Sequence, residues 1–226
     1  MSSGFHPSIE QYLETLYDLN EDGDTIIQAR LAERLKHSAP TVSAVVKKLE
    51  QEGDIVKTGR NLQLTEKGLQ RAQSVVRKHR LAERLLTDIL GIEWHLVHEE
   101  AGLLEHVISE RVEQKIIQIT GNPSTCPHGN PIPGHIKRDT LKKEYRLTEA
   151  NSNTTYRISR IGEILESSPP TLKLLYDCGV VPDNHISVIS NSKAANKHDY
   201  IKIKTKKGIN AIKLQIAQQL WISNLA

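Results

Sequence analysis

The chain has 226 residues, 38% of them hydrophobic and 4% aromatic, with a formal net charge of +3. That length allows one large domain or two to three small ones; no run approaches the ~18 apolar residues of a membrane span. Two cysteines, Cys126 and Cys178, match no CxxC pattern and exclude a disulfide framework. Residues 1–10 lack the apolar core of a signal peptide, so a cytoplasmic location is expected. The charge is unevenly spread: residues 1–75 carry 9 Lys+Arg against 11 Asp+Glu, and residues 141–226 carry 13 against 7.

Ser8 is placed to cap a first helix in which Ile9, Tyr12, Leu13, Leu16, Tyr17 and Leu19 recur at helical spacing. A short helix, Gln28–Leu35, and a four-residue turn, Lys36–Ala39, lead to a third helix over Pro40–Gln51. Pro40 suits the first helical turn, where its missing N–H costs nothing. Val42, Val45, Val46 and Leu49 form the inner stripe of that helix. Strands Ile55–Thr58 and Leu62–Leu64 follow, joined by a basic hairpin tip at Gly59–Arg60–Asn61. Three helices and a hairpin in this order are a winged helix-turn-helix. Ser38, Pro40, Thr41, Ser43, Ala44, Lys47, Lys48 and Arg60 are its candidate DNA contacts, reaching phosphates, base edges or a thymine methyl.

Thr65 and Glu66 begin a long helix running to about Leu90, and a second covers about Glu93–Thr120. Both have broad apolar faces that call for a partner, and a homodimer seam is the simplest supply. Residues 126–155 read as a linker interrupted by Pro127, Gly129, Pro131, Pro133 and Gly134. From Tyr156 a small β-rich domain is expected; Ile201–Lys206 alternates apolar and lysine as a half-buried strand does, and Gly179–Pro182 turns into another strand at Ile186–Val188.

Four of the ten histidines, His79, His95, His98 and His106, fall on the two long helices. His79 and Glu83 are four apart and share a helix face; His98 and Glu105 are seven apart on the next, with His106 about a quarter-turn away. Imidazole and carboxylate at these spacings are ligands for a divalent transition metal. Surface His and Glu on amphipathic helices also look like this, so the residues leave open a winged-helix regulator that ignores metal, and a metallohydrolase, although no HExxH or other hydrolytic signature is present.

The run Arg77–Leu86, Val97–Ala101 with Glu105–Val107, the run Gly129–Gly134, and Ala39–Ser43 resemble, in order and spacing, the diphtheria-toxin-repressor family of iron- and manganese-dependent regulators. The resemblance implies a mainly α protein with small β elements: a winged helix-turn-helix domain at 1–64, a helical dimerisation and metal domain at 65–125, a linker at 126–155 and an SH3-like β-barrel at 156–226. It implies a metal-activated repressor (Fe2+ or Mn2+, with Co2+, Ni2+ or Zn2+ as surrogates) that binds palindromic operator DNA as one or two homodimers and controls metal-homeostasis genes. It further implies an ancillary metal site of His79, Glu83, His98, Glu163 and Glu166. A primary site falls on Gln11, Gly102, Glu105 and His106. There the chain departs from the family, which has Met or Asp where Gln11 stands and Cys or Glu where Gly102 stands. Glu14, one turn beyond Gln11, is a further candidate donor.

Overall fold

The computed structural model describes residues 9–134, 143–191 and 200–225. The chain separates into two compact units, Met1–His79 and Arg80–Ala226. The Ser8 cap lies outside the described residues. Among them no helix is long and apolar enough to cross a membrane.

In the first unit, helices α1 (Ile9–Glu21), α2 (Gln28–Leu35) and α3 (Ala39–Gln51) precede the antiparallel hairpin β1 (Ile55–Thr58) and β2 (Asn61–Leu64). Tyr12, Leu13, Leu16, Leu19, Leu31, Val42, Val46, Leu49, Ile55 and Leu62 make the core. Each such side chain taken fully out of water contributes roughly 1.5–3 kcal/mol. Lys36 ends α2 in the left-handed conformation (φ 54°), and its N–H bonds back to the last turn. That sharp reversal sets the angle between α2 and α3. Ser38 then caps α3, its Oγ accepting the Thr41 N–H at 3.3 Å. A buried Asp22 pairs with Arg34 at 3.5 Å, tying α1 to α2.

Helix α4 (Glu66–Arg84) starts as expected at Thr65, whose hydroxyl accepts the Gly68 N–H at 3.0 Å. Gly68 itself is needed for packing. A Cβ there would stand 1.9 Å from the Asp54 carbonyl oxygen. Gly68→Ala is therefore expected to push the helix off the hairpin and cost about 1–3 kcal/mol, read as a lower urea midpoint of the metal-free protein; an unchanged midpoint would refute so close an approach.

α4 ends in one π-helical stretch, Leu85–Ile89. The expected single helix over Glu93–Thr120 is two: α5 (Val97–Leu104), a 3-10 turn at Glu105–Val107, then α6 (Glu110–Ile119). Ile108 is extended (ψ 109°), and Ser109 starts a new helix by accepting the Val112 N–H at 3.4 Å. Leu81, Ala82, Leu86, Val97, Ala101, Ile108, Ile116 and Ile132 form the core of this region.

Residues 126–134 are also unlike a loose linker. Thr125 bridges Pro131, Cys126 donates its N–H to the Asn130 carbonyl at 2.8 Å, and Gly129 donates to Cys126 at 3.0 Å. The same turns that forbid a helix or a long strand make a tight, buried reversal. The remainder of the unit is an antiparallel sheet: β3 (Glu144–Arg146), β4 (Thr154–Ile161), β5 (His185–Asn191), β6 (Tyr200–Thr205), β7 (Gly208–Lys213) and β8 (Leu220–Asn224), in spatial order β3-β8-β4-β5-β6-β7. Short helices α7 (Glu163–Glu166), α8 (Pro169–Asp177) and α9 (Leu214–Ala217) cover the core of Ile158, Ile161, Leu172, Leu175, Val188, Ile203 and Ile222. Strand β3 and the start of β4 fall inside the stretch that the sequence assigns to the linker. Their short alternation is masked by the charged and Asn/Thr-rich residues around them.

Candidate metal centre

The second unit brings six potential ligands together from four segments. Glu83 is on the last turn of α4, His98 on the first turn of α5, Cys126 and His128 in the buried reversal, and Glu163 and Glu166 on α7. Glu83, Cys126, His128 and Glu166 each offer a donor atom within 4.8 Å of the others, and all four are buried. His128 Nδ1 lies 2.9 Å from Glu166 Oε2 and 3.2 Å from Glu83 Oε1. His98 borders this quartet, its Nδ1 3.5 Å from Glu83, 3.4 Å from Glu166 and 3.6 Å from Glu163.

The surroundings fix each group. The other imidazole nitrogen of His128, Nε2, is 3.1 Å from the Trp94 carbonyl oxygen. A carbonyl only accepts, so Nε2 carries the proton and Nδ1 faces the carboxylates, the arrangement of a ligating histidine. Trp94 packs against that ring, centroids 4.6 Å apart and planes tilted by 55°, and donates its indole N–H to the Pro127 carbonyl at 3.0 Å. Glu166 receives the Asn130 side-chain amide at 2.6 Å, and the same amide donates to Ile161 at 2.8 Å. Asn130 Oδ1 accepts from Arg160 at 3.3 Å, and Arg160 lies 3.6 Å over the Trp221 ring. Glu163 Oε1 is held by Arg80 through Nε at 3.0 Å and Nη2 at 2.9 Å, which leaves Oε2 towards His98. Gly129 is the one residue type this reversal admits. It has φ +91°, and a Cβ would meet the Ser159 carbonyl oxygen at 2.2 Å.

Electrostatics show which charge the quartet favours. Burial pushes the His128 pKa down, but the Glu166 and Glu83 carboxylates outweigh it and hold the pKa well above its ordinary value. Burial, Glu83 and Glu166 push the Cys126 thiol up to about 12. Burial and neighbouring Glu163 also raise Glu166. The two carboxylates thus favour positive charge at the centre of the quartet, supplied either by a proton on His128 or by a cation. A divalent cation held there would take the place of the protons on His128 and Cys126. The donor set fits a transition metal: one sulfur, one nitrogen and two oxygens, all supplied by protein.

A pH dependence follows. Each displaced proton makes metal affinity rise tenfold per pH unit. Near neutral pH, affinity is expected to climb by roughly 100-fold per unit until His128 loses its charge, then about tenfold. Calorimetric titration in buffers of different ionisation enthalpy counts the protons released per ion. A count near zero would exclude this quartet as the binding site.

The structure places the remaining sequence candidates as follows. His79 is buried on α4, one turn ahead of Glu83. His95 belongs to no group of potential ligands among the described residues. Glu105 is buried in the 3-10 turn, with exposed His106 Nε2 3.3 Å from its carboxylate. Gly102 is one turn earlier on α5, and a Cβ there would meet open space. Gln11 and Glu14 are half-buried on α1 of the first unit. In that unit, Ser38, Pro40, Ser43, Ala44, Lys47, Lys48 and Arg60 are exposed along the start and outer side of α3 and at the hairpin tip, and Thr41 is half-buried. Cys126 and His128 were not among the sequence candidates. Their signal was a Cys and a His two residues apart, which the turn chemistry of Pro127 and Gly129 concealed.

Residues 4–60 match the profile described as the iron dependent repressor N-terminal DNA binding domain. Residues 65–134 match the iron dependent repressor metal binding and dimerisation domain. The iron-dependent repressor IdeR of Mycobacterium tuberculosis is 43% identical over 189 residues, covering 79% of this chain and 82% of its own length. The diphtheria toxin repressor of Corynebacterium diphtheriae is 39% identical over 188 residues, covering 80% and 83%. A solved manganese-dependent transcriptional repressor in complex with manganese superposes with a TM-score of 0.84 at 29% identity, covering 96% of this chain and all (100%) of its own.

Proposed function

The chain belongs to the iron-dependent repressor family, and on that premise we propose that it is a transcriptional repressor switched on by Fe2+ or Mn2+. As a homodimer it binds palindromic operator DNA and controls metal-homeostasis genes in the cytoplasm. The observation that carries the reading is the buried convergence of Glu83, Cys126, His128 and Glu166 in a chain that also has an exposed, Ser38-capped helix α3.

Those four residues would hold the cation, with His98 and Glu163 beside them and His79 a turn away on α4. Glu105 and His106 are the nucleus of a second site. The cation supplies positive charge and fixed coordination geometry. The chain's residues do the rest. Asn130 and Arg80 orient the carboxylates, Trp94 fixes the imidazole, and burial excludes water. Glu83, Cys126, His128 and Glu166 would offer an ion four protein donors, whereas catalytic sites keep a position open for water or substrate. This favours a binding role over a hydrolytic one. Co2+, Ni2+ and Zn2+ are expected to substitute, since the intrinsic affinity of nitrogen, oxygen and sulfur ligands rises from Mn2+ and Fe2+ towards these later ions.

Switching from mostly inactive to mostly active needs roughly 5.5 kcal/mol of preferential binding to the active arrangement. Gel-shift measurement on a palindromic library, with metal and with chelator, tests the switch. Retardation is expected only with metal, and equal retardation in both lanes counts against it.

A further inference from the structure

One face of the sheet carries a charge pattern that the metal centre does not use. On β6, Ile201, Ile203 and Thr205 point inward, while Lys202 and Lys204 are exposed between them. The register sets Lys204 beside Ser187 of β5 and Ile209 of β7, Lys202 beside Ser190 and Ala211, and Tyr200 beside Lys213. Exposed Lys206 and Lys207 make the turn between β6 and β7. Strands β5, β6 and β7 contain no Asp or Glu. Among the described residues, none of the five lysines has a carboxylate partner, whereas Lys173 on α8 pairs with Asp177 at 3.2 Å.

Lysines often guard a sheet edge against aggregation. That accounts for Lys213 on the outermost strand β7 but not for Lys202 and Lys204, which stand on an inner strand with neighbours on both sides. Five like charges with no counter-charge repel one another, so the face is best satisfied by an anionic partner. The rest of the face limits what that partner is read by. The Ser190 hydroxyl and the ammonium groups suit phosphate oxygens, whereas the Ser187 hydroxyl is shared with Thr155 at 2.9 Å. The groups that read bases in pairs are missing or engaged: no arginine stands on β5–β7, and the Asn191 amide is committed to the Thr148 and Ala150 carbonyls at 3.0 and 2.8 Å.

We propose that the Lys202–Lys204–Lys213 face of the sheet is a second, sequence-independent contact with duplex DNA, gripping phosphates. The inference rests on the DNA-binding reading above, because that reading puts a polyanion within reach of the same chain.

The test uses the full-length, metal-loaded protein and a random-sequence DNA duplex, with affinity measured by fluorescence anisotropy across a salt series. Each lost phosphate contact lowers the slope of log affinity against log salt by about 0.9. Lys202→Gln with Lys204→Gln is expected to lower the slope by roughly 2 per protomer and to weaken binding most at low salt. Lys202→Arg with Lys204→Arg is expected to keep the wild-type slope, and so is Lys173→Gln. Wild-type slope and affinity in the glutamine variant would overturn the inference alone. Wild-type protein that ignores this duplex in metal would overturn the inference, and failure to bind the palindromic library as well would overturn the DNA-binding reading with it. Loss of binding to phosphatidylglycerol vesicles with an unchanged DNA slope would also overturn it and assign the face to a lipid surface.

Discussion

His128→Ala is expected to abolish binding at the buried quartet and to destabilise the metal-free protein as well. Loss of an outer partner of a ligand typically costs 10–100-fold in metal affinity, and removal of the ligand itself should exceed about 100-fold. The second effect is separable. In the metal-free chain the His128 imidazolium sits between Glu83 and Glu166, at 3.2 and 2.9 Å. Its removal leaves two buried carboxylates facing each other, and breaking a buried ion pair in this way costs about 3–5 kcal/mol. The variant should therefore melt earlier than wild type with chelator present, and added metal should restore little. Cys126→Ser leaves the shape and takes away the soft donor, so Zn2+ affinity should fall more than Mn2+ affinity. Calorimetry and thermal melts read both results. Metal affinity of His128→Ala within threefold of wild type would sink the assignment.

The winged helix was legible because every signal for it is local. The Val42, Val46, Leu49 stripe, Pro40 in a first turn and Gly59 at a hairpin tip all act within a few residues, and α2, α3, β1 and β2 agree with them to within a residue. The Glu93–Thr120 stretch was harder, because its apolar periodicity continues through Ile108 while the chain breaks there. Only Ser109, a capping residue followed by Glu110, announces a fresh start. The metal quartet was half legible. Glu83 and His98 declare themselves by spacing with neighbouring helical His and Glu. Glu163 and Glu166 are a pair of carboxylates three apart that only a family resemblance singles out. Cys126 and His128 meet Glu83 across more than forty residues of sequence, and no local periodicity encodes such a meeting. What encodes it is the need of a buried Asn130 and a positive-φ Gly129 to press against β4.

Leu103→Asp with Val107→Asp should convert the protein to a monomer. Leu103, in the last turn of α5, is 72% exposed in the isolated chain and Val107, in the 3-10 turn that follows, 75%, and Ile89, Leu90, Val112 and Ile119 extend the same unpartnered apolar character. The family's second domain carries dimerisation, and exposure on this scale marks a surface meant to be covered. At a two-fold seam each substitution counts twice. Losing roughly 1.5–3 kcal/mol per buried side chain in each copy weakens the dimer by at least about 100-fold. Sedimentation velocity is the measurement, and a dimer surviving at micromolar concentration would remove this face from the seam. Metal affinity at the quartet should persist in the monomer, because all four donors come from one chain. Operator affinity should collapse, because two recognition helices must be held one helical repeat apart.

The chain has two tryptophans, and each touches the ligand network from a different side. Trp94 lies on the His128 ring at 4.6 Å, and Trp221 lies beneath Arg160, which holds Asn130 and through it Glu166. Indole emission is quenched by a protonated imidazole and by open-shell ions. The molecule thus carries its own optical reporter: unlabelled protein, excited in the ultraviolet, signals the exchange of proton for ion at the place where it happens.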